Sequence, residues 1–384
     1  MELKDLQEHI RTLATVEETE SPMISCYLDL RNGPLGYRNE METRVQLLRR
    51  SLPVRSAVEF DEATRRIEAC IKEAMSPRTR GIAIFARAGE RPFWLSLQFE
   101  VPLPNWIAVG STPNIYHLVE LKDNYDRYVI LLTTETSVRV IGVNLGSITA
   151  QLWRSRPELR RRVGHEWTKE HFQGHRRERT KQFIHDQIRS LDRLVSAGGY
   201  AHLILAGNAR MISAVRRVLP KRLAQKLVDS VPAGPTDQVS DIVASTLRAF
   251  LEYEELESQA LAEALITRLR TDGLAVAGTR STLNAIKAGQ ADFLVVVKSY
   301  DPGQGWECGG CGKMELELPR PNSCPRCQNR RLREFDIRGE LVRLAEQQRV
   351  EVEVVEHNDV LMNLDGVGCL LRYLAPANCL YSAA

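Results

Sequence analysis

An α/β chain of three domains is the fold class this sequence predicts, with a mixed sheet in the middle domain and a C-terminal α/β/α sandwich interrupted by a cysteine-rich insert. Three observations carry that expectation. Apolar spacings of period two and period 3.6 alternate along the chain, the texture of the sequence changes twice, and two Cys-x-x-Cys pairs stand close together in its last third. At the usual domain size, 384 residues suit two or three domains rather than one. A composition of 43% apolar and 26% charged residues is that of an ordinary globular protein able to bury sizeable cores.

The first segment, 1–122, reads as an N-terminal α/β domain. Leu3, Leu6, Ile10 and Leu13 have helical spacing, and Ser21-Pro22 breaks the pattern. Ile24, Cys26, Leu28 and Leu30 then alternate with Ser25, Tyr27 and Asp29, which predicts a half-buried strand. Phe60, Ala63, Ile67, Cys70 and Ala74 return to helical spacing, and 81–86 reads as another strand. Pro102, Pro104 and Pro113 mark an irregular stretch leading out of the domain.

The middle segment, 124–270, opens with apolar runs at 128–132, 138–143 and 148–153, with Asn144 and Gly146 where a hairpin turn is needed. A long charged stretch follows, in which 164–174 has no clear periodicity and reads as a loop, with a helix starting near His175. Ile184, Ile188, Leu191 and Val195 give that helix its apolar stripe, and Gly198-Gly199 ends it. A strand at 202–206 and helices at about 208–218 and 238–270 complete a mixed sheet with helical cover.

The third segment, 272–384, has strands at 274–278, 292–297 and 350–355 and helices at 281–288 and 337–348. That order predicts the α/β/α sandwich, with an insert at 306–330 between the second strand and the second helix.

Residues 1–12 mix acids and bases without an apolar core, and the runs 128–132 and 293–297 are too short to span a bilayer. A cytoplasmic location without membrane contact is therefore expected. There the eight cysteines should be reduced thiols or metal ligands. Cys308-Gly-Gly-Cys311 and Cys324-Pro-Arg-Cys327 are separated by twelve residues, and each pair sets two thiolates in one tight turn. Two such knuckles complete the tetrahedral shell that zinc prefers. With four protein ligands no position stays open, so one structural Zn2+ is expected. Gly309, Gly310 and Gly312 are read as permitting the φ > 0 conformations such turns use. The competing reading is a pair of redox dithiols or unrelated buried thiols. Cys26, Cys70, Cys369 and Cys379 lie at apolar or terminal positions and read as inert.

Net charge is only +3, but it is unevenly placed. Residues 154–193 hold twelve Lys/Arg against six Asp/Glu, a net of +6, which leaves the rest of the chain at −3. His165, His171, His175 and His185 fall in the same stretch, with Trp167 and Phe172 between them. Guanidinium groups contact phosphate and rings stack on splayed bases, so this composition suits RNA; a solvated helix face is the bland alternative. His171 and His175 are spaced i,i+4, but Phe172 stands where the zinc-protease pattern needs Glu, so no second metal is expected. Acid–base cleavage of RNA by these histidines is chemically possible, though no spacing singles out a pair. Arg210, Arg216, Arg217, Lys221, Arg222 and Lys226 form a smaller basic group, read mainly as the polar face of a helix packed by Met211, Ile212, Val215 and Val218.

Gly273-Leu-Ala-Val-Ala-Gly278, Thr282-Leu-Asn-Ala-Ile-Lys-Ala-Gly289, Asp292-Phe-Leu-Val-Val-Val297, the paired knuckles and Gly366-Val-Gly-Cys-Leu-Leu-Arg-Tyr373 follow one another in the third segment. His202-Leu-Ile-Leu-Ala-Gly207 and Leu219-Pro-Lys-Arg-Leu223 stand in the middle one, and Pro22-Met-Ile-Ser-Cys-Tyr-Leu-Asp-Leu30 in the first. In that order the chain resembles the class-1 release factor and Pelota family of archaea and eukaryotes, in its bacterial branch. The resemblance implies an RNase H-like middle domain and a ribosomal-protein-like C-terminal domain, with a zinc insert at this place in many members. Release factors of the family carry Gly-Gly-Gln on a middle-domain loop; here the corresponding stretch reads Glu170-His-Phe-Gln-Gly-His-Arg-Arg177, where no Gly-Gly precedes Gln173. Members without that motif, among them Pelota and the bacterial hibernation factor Balon, enter the ribosomal A site.

The resemblance therefore implies a ribosome-associated, tRNA-mimicking factor of hibernation or rescue that does not release peptide. His165, His171, Gln173, Gly174, His175, Arg176, Arg177, Arg179 and Lys181 would contact ribosomal RNA. A GTPase of the elongation-factor-Tu kind would assist, and no DNA partner is expected. The rivals are a peptidyl-tRNA hydrolase depending on Gln173 and a ribonuclease depending on the histidines.

Overall fold

Residues 2–73, 76–134, 137–155, 169–234, 236–271 and 273–373 are described by the computed structural model. They divide into two compact units. The larger joins Leu3–Asn124 to the described residues from Glu255 onward, and the smaller is Tyr125–Glu254.

In the larger unit the first segment forms α1 (Leu3–Ala14), β1 (Met23–Asp29), α2 (Pro34–Ser51), α3 (Val54–Glu73), β2 (Gly81–Arg87), β3 (Phe93–Phe99), β4 (Trp106–Gly110) and α4 (Tyr116–Asn124). The strands make an antiparallel sheet in the order β3-β2-β1-β4. Ile24, Cys26, Leu28, Ile82, Ile84 and Ile107 pack against Met41 of α2 and Phe60, Ala63 and Ile67 of α3. Alternation in β1 suggested one wet face, yet Ser25 and Tyr27 are buried as well. Their polar atoms have partners, which removes the burial cost. The Tyr27 hydroxyl donates to the Asn114 carbonyl at 2.8 Å, and the Asn114 N–H donates to Ser25 Oγ at 2.9 Å. The stretch between Pro102 and Pro113, read as irregular, contains β4. Sequence patterning also missed α2, because Met41 is its only fully buried residue and its apolar stripe is faint. The usable signal was Pro34 in its first turn.

The smaller unit contains β5 (Tyr128–Thr133), β6 (Ser137–Asn144), β7 (Ser147–Ser155), α5 (Lys169–Gly198), β8 (His202–Gly207), α6 (Ala209–Val218), α7 (Lys221–Ala224), β9 (Leu227–Pro232) and the part of α8 (Val239–Arg270) up to Glu254. Its sheet runs β7-β6-β5-β8-β9. The first three strands form an antiparallel meander, and β8 and β9 run parallel to β5. Val129, Leu131, Val140, Leu203 and Leu205 pack one face onto Ile184, Ile188, Leu191 and Val195 of α5 and Met211 and Val215 of α6. The opposite face packs Tyr128, Ile130, Ile141, Val143 and Ile204 onto Ile242, Val243 and Phe250 of α8. Strand β9 was not anticipated. At the β6–β7 turn both Leu145 (φ 47°) and Gly146 (φ 70°) take the left-handed conformation that two-residue hairpin turns require.

The third segment supplies β10 (Ala275–Ala277), α9 (Thr279–Lys287), β11 (Ala291–Val297), β12 (Gln304–Cys308), β13 (Met314–Glu315), β14 (Leu332–Asp336), α10 (Ile337–Gln347), β15 (Glu351–Val355), α11 (Asp359–Met362) and β16 (Val367–Leu371). A four-stranded sheet has the order β10-β16-β11-β15, with β11 and β15 parallel and β16 antiparallel to both its neighbours. Ala262 and Leu265 of α8 cover Val295, Val297, Val355 and Leu370. Helices α9 and α10 pack against β16 and β15. The insert is a separate three-stranded sheet, β13-β12-β14, whose last strand runs directly into α10.

First and third segments meet within the larger unit through polar contacts. Gln347 Nε2 donates to the Ala14 carbonyl at 2.7 Å, Lys122 pairs with Glu346 at 2.6 Å, and the Val354 N–H donates to Asp123 Oδ2 at 2.7 Å.

Candidate metal centre and basic helix

The four cysteines of the insert converge as their spacing requires. The sulfurs of Cys308 and Cys327 lie 3.5 Å apart and those of Cys311 and Cys324 3.6 Å apart, and all four fall within 4.8 Å of one another. A tetrahedral metal with bonds near 2.3 Å separates its sulfurs by about 3.8 Å, so four cysteines so placed can hold a metal ion.

Each pair sits in the same hydrogen-bonded turn. In the first, the Gly312 N–H donates to the Cys308 carbonyl at 2.9 Å and the Cys308 N–H to the Lys313 carbonyl at 2.9 Å; in the second, Gln328 N–H to Cys324 carbonyl and Cys324 N–H to Asn329 carbonyl repeat this at 2.8 Å each. The residue after the second cysteine has φ of 67° at Gly312 and 61° at Gln328. Of the three glycines read as φ > 0 positions, only Gly312 is one. Gly310 is needed for space instead, because a Cβ there would run into the Asn329 side chain. Backbone N–H groups of Gly310 and Arg326 donate to the sulfurs of Cys308 and Cys324, both at 3.4 Å. Burial raises the Cys324 thiol, but the amides of Cys327 and Arg326 and the neighbouring thiols outweigh it and hold Cys324 below the ordinary thiol range. Trp306 and Leu332 back the cluster on its inner side, while Cys327 is exposed.

Beside this centre lies a charge network that sequence reasoning missed. Arg333, next to Leu332 of the cluster, pairs with Glu307, with Glu18 at 2.8 Å and with Glu340 at 3.3 Å. Glu340 also accepts a bidentate pair from Arg343 at 2.9 and 2.6 Å, and its side chain is 2% exposed. Burial raises the Glu340 carboxyl, and the two guanidinium groups outweigh it and hold the carboxyl below the usual range. Arg343 Nη1 donates to the Ala14 carbonyl at 3.5 Å, at the C-terminus of α1, where the helix dipole favours a cation. Only the Glu340–Arg343 pair, i,i+3 on α10, shows in local spacing; the other members come from β12, β14 and the loop after α1.

The basic stretch adopts a different conformation from the one its patterning suggested. His171, Gln173, Gly174, His175, Arg176, Arg177, Arg179 and Lys181 all lie on α5, which begins at Lys169. The expected loop therefore does not extend to Gly174. Among residues 169–183 Gly174 opposes helix most, at about 1 kcal/mol, the histidines, phenylalanines and Thr180 less so, and Glu, Gln, Lys and Arg favour it. His165 lies outside the described residues, as does Trp167. The first fully buried side chain described on α5 is Ile184, and the helical run from Lys169 to Ile184 is about 22 Å long.

A three-layered middle unit with a basic helix is thus flanked in sequence by segments that share a second unit. Residues 113–251 match the family model described as bacterial archaeo-eukaryotic release factor family 10. Peptide chain release factor subunit 1 of Thermococcus onnurineus is 28% identical over 141 residues, covering 32% of this chain and 34% of that protein; the Pyrococcus abyssi protein of the same name is 26% identical over the same shares. The chain thus spans about a third of the length of the curated relatives it matches. Among solved structures, Archaeoglobus fulgidus Pelota aligns over 97% of this chain and 92% of its own, with 12% identity and a TM-score of 0.38. A model of ribosome-bound archaeal Pelota and ABCE1 aligns over 97% and 95%, with 13% identity and a TM-score of 0.41.

Proposed function

We propose that this chain is a ribosome-associated translation factor that mimics tRNA, occupies the A site in hibernation or rescue, and does not release peptide. One observation carries the reading. A net charge of +6 is concentrated at 154–193, within the segment that matches the release-factor family, on a chain that is otherwise at −3. Along α5, His171, Gln173, Gly174, His175, Arg176, Arg177, Arg179 and Lys181, with His165 ahead of it, would meet ribosomal RNA. Phosphate contacts of this kind position a protein without reading sequence. The strand order β7-β6-β5-β8-β9 supports an RNase H-like middle domain within the proposed division 1–122, 124–270 and 272–384.

One structural zinc in the cysteine site belongs to the same reading, as does docking of a GTPase of the elongation-factor-Tu kind. So does a cytoplasmic location; no described helix is long and apolar enough to cross a membrane. In the site Cys308, Cys311, Cys324 and Cys327 would be the ligands, and the ion would fix the turns rather than react.

Co-sedimentation with 70S ribosomes from growing and starved cells tests the proposal. Binding that weakens steeply with salt, without turnover, is the expected result. Failure to sediment under both conditions at low salt ends it. Gln173 as a partial echo of the release motif supports the rival hydrolase reading. Release of labelled peptide from programmed ribosomes, abolished by Gln173→Ala, would replace our reading with that one.

A further inference from the structure

The second knuckle of the cysteine site carries three arginines that the metal chemistry does not use. Residues 320–333 include five arginines and no Asp or Glu. Two of the five are committed: Arg320 pairs with Glu334 at 2.9 Å, and Arg333 with Glu307, Glu18 and Glu340. Arg326, Arg330 and Arg331 are exposed, and among the described residues their guanidinium groups have no carboxylate partner. Their backbone is firmly held. The Cys324 and Gln328 N–H groups close the turn, the Arg331 N–H donates to Asn329 Oδ1 at 2.8 Å, and the Gly309 N–H of the first knuckle donates to the Arg331 carbonyl at 2.9 Å. Three unneutralised guanidinium groups thus stand on one pre-formed turn, so little backbone order has to be created on binding.

Chemistry at this tip selects the partner. Protein-binding patches centre on aromatic or aliphatic anchors, and none of the exposed large apolar side chains falls within 320–333. Besides the arginines, the turn exposes Pro325, Cys327 and Gln328, of which Gln328 carries a side-chain amide. Guanidinium forks and side-chain amides are what non-bridging phosphate oxygens accept from.

We propose that the second knuckle docks on the phosphate backbone of RNA, as a contact separate in sequence from α5. This inference rests on the ribosome-binding reading and adds a second RNA contact to it. Recognition is by charge and fork geometry and is indifferent to base sequence.

The test uses the full chain and two probes, 70S ribosomes and a labelled RNA hairpin, titrated over a range of salt. The variants are Arg326→Gln/Arg330→Gln/Arg331→Gln, the same three positions changed to Lys, and Arg176→Gln/Arg177→Gln on α5. The Gln triple should bind both probes at least about tenfold more weakly, with the salt slope reduced by about 3, while the Lys triple keeps most of the affinity. Unchanged metal content and melting temperature establish that the knuckle is still folded. If the Gln triple binds like the parent while the α5 variant is weakened, the knuckle inference is wrong and the ribosome reading stands. If the parent binds neither probe, both are wrong. Equal loss in the Gln and Lys triples, or a photo-cross-linker at position 328 that captures ribosomal protein instead of RNA, also overturns it.

Discussion

Glu340 is shared by Arg343, which also reaches the end of α1, and by Arg333 of the insert. A carboxylate buried to this degree is stable only because both guanidinium groups face it; removing its charge leaves the buried Arg343 short of its carboxylate, while Arg333 keeps Glu307 and Glu18. We expect Glu340→Gln to cost about 3 kcal/mol in the larger unit, read by denaturant melts at neutral pH. Its folded-state value lies below the ordinary 4.5, so its contribution is complete above about 4.5 and is lost as pH falls through the depressed value. Glu18, raised by burial, acts in the opposite sense just above 4.5, because the folded state there favours its protonated form. Melting temperature in the parent should therefore hold from pH 7 to about 4.5 and fall below that, and the fall should be shallower in Glu340→Gln. A parallel pH profile in the variant would remove Glu340 as the cause.

Elements in the smaller unit are locked by Tyr200, which follows the Gly198-Gly199 stop of α5. A Cβ at Gly142 of β6 or at Gly198 would run into the Tyr200 ring, so both glycines are there for space. Gly142→Ala should destabilise this unit by about 1–3 kcal/mol, and adding Tyr200→Ala should recover part of the overpacking loss. At the other end of the helix, Gly174 sits in helical backbone, where Ala is favoured by about 1 kcal/mol. Gly174→Ala should raise helix content and slow amide exchange around 171–178. No change in exchange would mean that this stretch spends its time outside the helix.

At the scale of the molecule, the cysteine site joins a small sheet to the larger unit through β14 and Arg333, so a metal there should stabilise more than the insert. The purified chain should carry one zinc, and Cys308→Ser should lose it. Chelation at neutral pH should lower the melting temperature of the larger unit and loosen amides of β12, β14 and α10. Amides in β5 and β8 should be little affected. Because the Arg326, Arg330 and Arg331 turn is shaped by the same ligands, chelation should also reduce the salt dependence of ribosome binding. Chelation without any effect on stability or binding would remove the scaffold role assigned to the metal.

Local signals in the sequence determined the cysteine turns, the α5 stripe at Ile184, Ile188, Leu191 and Val195, and most strands of the two larger cores. Each depends on spacing within a few residues, which a linear pattern records. Helix α2, whose single buried residue leaves almost no pattern, was not legible, nor were β4 and β9, which are short and set by pairing with distant strands. The helical state of 169–174 was misread because a glycine and two histidines obscured a run of helix formers. Only tertiary structure decided which arginines of the insert are spent internally and which are free. Arg333 finds Glu307 on β12, Glu340 on α10 and Glu18 in the loop after α1, whereas Arg326, Arg330 and Arg331 find no carboxylate among the described residues, and charge count alone cannot tell a neutralised guanidinium from an available one.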